Sequence, residues 1–405
     1  MNSKNRWVPR LIAATLSLAL SLAALELGLR LFWLKQLTIS AGEEHPHFHH
    51  RLTPDHTYHY VSDEFDVHVT TNRYGFRGPT PEREKRPGTI RALFLGDSFT
   101  FGYPVRDEET FASRIEQGLR VQGRPVEIIN GGVAGYSPVL EYLTLRDELL
   151  AFSPDLVVLW YDLGDLQDDY THGRSLLHDQ ARRILAANPR YRDGRFDWWG
   201  WYSTRTALGQ YLDIKVLSLF RKIADLGLGG YLKAKFTGVR PANAIAKKKR
   251  AEHAGNLLAE ERFLLVREGV TEQDIARYWP VSAQYLLMIR DLLAERQIPL
   301  VLGIYPYGML VGVDQWAEGR EYWGFEKGKV YDASLALAHF ARFSEAEHIP
   351  LINTYEAFRA SAGTHEPLFY NKDGHMTPAG HRVLAEGVLR NPQFLALLDQ
   401  LKTRR

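Results

Sequence analysis

The chain has no cysteine among its 405 residues. That absence excludes disulfides, cysteine nucleophiles and thiolate metal sites, but not an oxidising compartment, which permits disulfides without requiring them. It also lacks an excess of charge of either sign. Fifty Lys and Arg stand against 48 Asp and Glu, a net charge of +2, so no field favours a polyanion and nucleic acid is not an expected partner. The one dense basic run, Lys247-Lys248-Lys249-Arg250, sits among alanines without interleaved aromatics and reads as a solvated helix face. Disorder is excluded, because 45% of residues are hydrophobic and 12% aromatic, enough apolar surface for one large domain or two ordinary ones.

What is present begins at the amino terminus. Lys4, Arg6 and Arg10 precede 15 uninterrupted apolar or small residues, Leu11 to Leu25. Counted to Leu34 the stretch reaches 24 residues, long enough to cross a bilayer, with Glu26 and Arg30 one turn apart and able to pair. An uncleaved anchor through residues 11–34 is expected, its tip (within residues 1–35) cytoplasmic and the body outside. A cleaved signal peptide is the rival reading.

Residues 36–89 read as a juxtamembrane connection with a few short strands. The tract His45, His47, His49, His50 has no carboxylates at matched spacing and is not read as a metal site. NRYGFRG, Asn72 to Gly78, reads as a tight turn packed against another element. From residue 90 strands and helices alternate: TIRALFLG, VEIIN (126–130), DLVVLWYDLG (155–164), PLVLGIYP (299–306) and IPLINT (349–354) read as strands. Helices are expected over 108–121, 141–152, 281–296, 333–344 and from 377 onward. This pattern predicts an α/β domain of about five parallel strands covered on both faces, residues 90–171 and 276–405. Residues 172–275 break the rhythm and form a largely helical, aromatic insertion, with FDWWGWYS at 196–203. A lid, a substrate wall or a membrane-resting surface suits it, although plain core packing is the first reading of its aromatic run.

In a parallel sheet ligands sit beyond the carboxyl ends of the strands, and four loops meet there. Ser98 follows the first strand in FLGDSFTFG, where a helix N-cap is its plain structural reading. Asn130, Gly131, Gly132 and Gly135 follow the second strand. Asp162, Gly164 and Asp165 follow the third. KDGHMTPAGH, Lys372 to His381, precedes the last helix. A serine hydroxyl needs a base to become a nucleophile, and His375 is of the right class. Asp373 stands two residues away to orient the imidazole. The Ser98 and Gly135 N–H groups are candidate oxyanion donors. No G-x-S-x-G elbow is present, so a lipase-like hydrolase architecture is not expected. His381 is read as packing or capping the final helix, and Asp168 and Asp169 as solvated or N-cap residues.

GDSFTFG (96–102), NGGVAGYS (130–137) and DGHMTPAGH (373–381), together with GFRG (75–78) and the ELGLR-bearing anchor, resemble the SGNH/GDSL hydrolase superfamily and its membrane-anchored, extracytoplasmic bacterial branch. The resemblance covers roughly residues 70–170 and 280–390. It implies a three-layer α/β/α, flavodoxin-like fold and acyl-ester chemistry without metal or cofactor. Ser98 would be the nucleophile, His375 the base and Asp373 its orienter, with Gly135 as oxyanion donor and Asp97, Asn130 and Asp165 in support. The family's third donor, an asparagine before an aspartate, is here Gly164 before Asp165. Only the Gly164 N–H remains as a third candidate, while an ionised Asp162 would oppose an oxyanion and Gln167 reaches the site only through an unusual loop. The chain is thus expected to be an esterase or O-acyltransferase in a bacterial inner membrane, acting on an acylated polysaccharide, peptidoglycan or lipid. The alternative is a membrane-tethered binding or assembly subunit with little chemistry, meeting a membrane-protein partner through 172–275.

Overall fold

The computed structural model describes residues 7–32, 42–236, 261–363 and 366–403. The flanking Lys4 and Arg6, the end of the expected anchor (Trp33 and Leu34) and the basic run at 247–250 lie outside these residues. Five strands, β1 (Ile90–Leu95), β2 (Val126–Asn130), β3 (Leu156–Tyr161), β4 (Leu300–Ile304) and β5 (Leu351–Asn353), form one sheet in the order β2-β1-β3-β4-β5, and every neighbouring pair is parallel. Every residue of β1 and β3 is buried, which is why these strands read as unbroken apolar runs rather than alternating ones.

The main helices are α1 (Trp7–Phe32), which stands apart from the sheet, and α2 (Phe111–Val121), α3 (Pro138–Asp147), α4 (Asp165–Gly173), α5 (Pro280–Ala294), α6 (Ser334–Ala346), α7 (Pro378–Leu389) and α8 (Pro392–Thr403). Consecutive residues of β3 show the layering. Trp160 meets Phe111 of α2, whereas Tyr161 meets Ser282 of α5 and Phe340 of α6. Side chains alternate across a strand, so α2 and its neighbour α7 cover one face and α5 and α6 the other. The helix expected over 141–152 starts earlier, at Pro138, whose fixed φ suits a first turn. It closes at Asp147, before a separate 3-10 turn at Leu149–Phe152.

The strand order reverses between β1 and β3, the point at which doubly wound sheets open a crevice at their carboxyl ends. Ser98 and Gly164 both leave the sheet there. Around this core, residues 42–70 form two hairpins, Glu43–His45 with His49–Arg51 and Thr57–Val61 with Asp66–Thr70. Phe48, Leu52, Tyr58 and Val69 from them share a second apolar cluster with Val139, Leu140 and Leu143 of α3 and with Leu176 and Ala187. The segment after α4 opens with two more hairpins before its helices, Trp198–Arg205, Ala207–Tyr211 and Ser218–Phe236. Further along, Phe263–Val266 and Ile275 are buried in the main core.

The helix α1 is long and apolar enough to cross a membrane, with a mean hydropathy of 1.9 in its best window and none of that window buried. Its 26 residues span about 39 Å at 1.5 Å per residue, against about 30 Å of hydrocarbon. Glu26 pairs with Arg30 at 2.7 Å. It also accepts the backbone N–H groups of Ala207 and Leu208, each at 2.9 Å, so α1 is fastened to the N-terminus of the helix Ala207–Tyr211 by the Glu26 carboxylate.

Candidate active site

The turn after β1 decides which residue caps the short helix Ser98–Phe101. Asp97 does: its Oδ1 accepts the Phe99 N–H at 2.9 Å. Ser98 is therefore not the N-cap, and its hydroxyl lies 2.8 Å from His375 Nε2. Arg77, the arginine of GFRG, holds the far end of this turn. Its buried guanidinium donates to the carbonyls of Phe101 (3.0 Å), Gly102 (2.6 Å) and Val105 and pairs with Asp107 at 2.8 Å. The tight turn expected at 72–78 is thus packed against the Ser98 loop.

His375 Nδ1 lies 2.6 Å from Asp373 Oδ1, which also accepts the His375 backbone N–H at 3.1 Å. A carboxylate can only accept, so Nδ1 carries the proton and Nε2 is left to accept the Ser98 O–H. Burial raises the Asp373 pKa, but the bonds from His375 outweigh it and the net shift is downward. The imidazole is flanked by the Phe99 and Tyr103 rings, with centroids 4.6 and 4.8 Å away. Between the two residues Gly374 takes φ 93°, and a Cβ there would come within 2.5 Å of the Trp316 ring, so backbone and packing both require glycine. The loop is braced by a residue that no motif singled out. Glu64, at the tip of the second hairpin, accepts the N–H groups of Asn371 (2.6 Å), Lys372 (3.0 Å) and Asp373 (2.9 Å).

The glycine loop after β2 is pulled against the Ser98 helix. Asn130 donates to the Thr100 carbonyl at 2.8 Å and accepts the Gly132 N–H at 3.0 Å. A Cβ on Gly132 would lie 2.3 Å from the Phe101 nitrogen, an approach only glycine allows. Beyond it, His50 Nε2 meets the Ala134 carbonyl (2.7 Å) and His172 Nε2 the Gly135 carbonyl (3.0 Å). Burial pushes His50 down to about 4 and His49 to about 3, so these imidazoles are neutral braces. Among the described residues, three metal-type ligand atoms come together instead at His59, Asp66 and His68 on an exposed hairpin. The N–H groups of Ser98 and Gly135 make no hydrogen bond among the described residues.

The third motif departs from the expected arrangement. The Gly164 N–H donates to Asp162 Oδ1 at 2.6 Å, and Asp165 Oδ2 accepts the Asp162 N–H at 2.9 Å. Asp162 Oδ2 receives the hydroxyl of Tyr307 (2.6 Å) and lies 3.0 Å from that of Tyr305, which is 3.1 Å from Asp97 Oδ1. One phenol proton serves only one carboxylate. Burial first, and then the Asp162 charge, push Asp97 up to about 7. Gln167 bonds Thr171 on its own helix. Asp169 is not solvated: it is fully buried, accepts the Val139 N–H at the start of α3 (3.0 Å) and the Ser282 hydroxyl, and burial pushes it up to about 8. Asp168 pairs with Arg262 at 3.2 Å. His381 is buried, its Nδ1 accepting the Phe111 N–H at 3.2 Å, a packing role as expected. Tyr305, Tyr307 and Arg262 had no signal in the sequence, because the two tyrosines, on the loop after β4, and the arginine reach the site from segments outside any motif.

No family model matches the chain, and no curated protein does. Solved structures do match, at probability 1.00. An acetyl xylan esterase, AlAXEase, is 14% identical with a TM-score of 0.36, covering 74% of this chain and 97% of its own. A lipolytic protein of the G-D-S-L family from Desulfitobacterium hafniense DCB-2 is 11% identical with a TM-score of 0.33, covering 74% and 98%. A two-domain esterase, CEX, active on acetylated mannans, is 12% identical with a TM-score of 0.35, covering 78% and 50%.

Proposed function

We propose that this protein is a membrane-tethered serine esterase or O-acyltransferase of the SGNH/GDSL type, working through an acyl-serine intermediate. One observation carries the reading: two hydrogen bonds, of 2.8 and 2.6 Å, link Ser98, His375 and Asp373 in series, although Ser98 and His375 stand 277 residues apart in the chain. His375 Nε2 takes the Ser98 proton as Oγ attacks an ester carbonyl, and Asp373 stabilises the imidazolium that forms. The carbonyl oxygen becomes an oxyanion facing the Ser98 and Gly135 N–H groups. His375 then returns the proton to the departing alcohol, leaving an acyl-Ser98. Water or a sugar hydroxyl, deprotonated by the same imidazole, releases the acid or the transferred ester. No metal or cofactor is required by this sequence of steps.

The substrate class follows from position. With α1 as a single-pass anchor and its amino end cytoplasmic, the domain faces the extracytoplasmic side of a bacterial inner membrane, where acyl esters of polysaccharide, peptidoglycan or lipid lie. The insertion, fastened to α1 by Glu26, exposes Trp198, Phe220, Leu228 and Phe236 and is the surface suited to the bilayer or to a membrane-protein partner.

A second reading has one observation in its favour. Gly164 supplies no side-chain amide and its N–H is held by Asp162, which fits a binding or assembly subunit. A fluorophosphonate probe followed by peptide mass spectrometry separates the two. A stoichiometric adduct on Ser98 supports the hydrolase. A folded protein that takes up no probe is the binding subunit.

A further inference from the structure

The departure at Gly164 leaves a space, and the structure fills it. A Cβ on Gly164 would lie 3.1 Å from both Cζ and Nη2 of Arg262 and 2.8 Å from Asp162 Oδ1. The backbone there is ordinary, φ −87° and ψ −15°, so any residue suits the conformation and only the guanidinium and the carboxylate exclude a side chain. Arg262 arrives from a distant segment, immediately before the core residues Phe263–Val266. Its Nη1 is anchored on Asp168 at 3.2 Å, and its Cζ lies 5.4 Å from the Phe263 and Trp323 ring centroids. Burial opposes its charge, but Tyr307, Asp168 and Asp162 outweigh that and hold the proton more tightly than usual. The same charge acts on Asp97, next to Ser98. Nη2 makes no hydrogen bond among the described residues, whereas Nη1 is committed to Asp168.

We infer that Arg262 is the third oxyanion donor, its Nη2 N–H groups standing where an asparagine amide would have extended from position 164. The inference rests on the hydrolase reading above. It also accounts for Asp162. A buried carboxylate beside a developing oxyanion opposes catalysis, and a guanidinium between the two offsets that charge while donating to the substrate oxygen. Arginine serves here better than lysine, because a planar fork can hold Asp168 with one nitrogen and present the other.

The test is reciprocal. The second-order rate of Ser98 labelling by a fluorophosphonate, whose phosphoryl oxygen sits in the oxyanion site, is measured on the full chain in detergent. Arg262→Ala is expected to lower it about a hundredfold, the effect of losing one such donor, and Arg262→Lys about tenfold. Gly164→Asn alone places its side chain against the guanidinium and also slows labelling. Gly164→Asn combined with Arg262→Ala has room for the amide and is expected to label at least tenfold faster than Arg262→Ala, a rescue that a purely structural arginine would not give. Melting temperatures of all four variants identify any loss that is only unfolding. Labelling of Arg262→Ala within threefold of wild type, or a double variant no faster than Arg262→Ala, overturns the assignment while leaving the hydrolase reading standing. A wild-type chain that is folded and unlabelled overturns both.

Discussion

The two sides of Ser98 are built on different principles. On one side, Asp373 and His375 sit two residues apart on a single loop, and Asn130, Gly132 and Gly135 on another, so short contiguous motifs carry the polar groups themselves, while Glu64, His50 and His172 brace the loops from outside. On the other side, Asp162, Tyr305, Tyr307, Asp168 and Arg262 come from the turn after β3, the loop after β4, the helix α4 and the end of the insertion. The first side is set largely by local backbone geometry. The second is fixed by packing among distant segments, and it is the side on which this chain has Gly164 and Arg262. On the function proposed above, the nucleophile geometry is kept while the donor wall is rebuilt.

Three measurements bear on that contrast. The largest effect is expected on the motif side: Asp373→Asn leaves the fold intact but removes the carboxylate that fixes the His375 tautomer, and Ser98 labelling should slow by roughly 10³ to 10⁴. A loss below tenfold would mean that the loop alone orients the imidazole. A smaller effect is expected from Glu64→Ala, which frees three N–H groups of the His375 loop to water. Labelling should fall about tenfold with the melting temperature nearly unchanged, and a large melting shift with unchanged labelling would make Glu64 a fold residue only.

The smallest effect is on stability and belongs to the buried acids. Asp97 and Asp169 are raised to about 7 and about 8 in the folded protein, above an unfolded value of 3.8. At and below pH 7 the lowered histidines, His49 and His50 among them, act in the opposite sense, because the unfolded chain still binds their protons with an ordinary value of 6.5. From pH 7.5 to 8.5 unfolded histidines are about nine-tenths or more deprotonated, so the raised carboxyls dominate, the folded state binds more protons, and stability should fall as pH rises. Asp169→Asn, able to keep both bonding partners, should flatten that fall, as read by urea melts at pH 7.5 and 8.5. An unchanged slope in the variant would show that Asp169 ionises normally.

How much of this was legible in the sequence follows the same division. β1 to β5 were readable because strands buried on both faces have no polar alternation to confuse them, and the four loops followed from the rule that parallel strands end at one edge. The Ser98–His375 bond was readable because serine, histidine and aspartate each have a narrow chemical use. Arg262 was not, since an arginine between Glu261 and Phe263 looks like any surface charge until Gly164 is seen beneath it. Asp169 failed for a related reason: in LQDDYTHG two adjacent aspartates look solvated, and only the packing of α4 against α3 and α5 buries the second. Glu64 was hidden because its partners are backbone N–H groups more than 300 residues away.

The central claim is that His375 activates Ser98, and the most direct measurement is the rate of Ser98 labelling by fluorophosphonate in wild type and in His375→Ala at pH 7.5. The account expects stoichiometric labelling of Ser98 in wild type and a rate at least a thousandfold lower in the variant. Equal rates, or an adduct on a different serine, would contradict it.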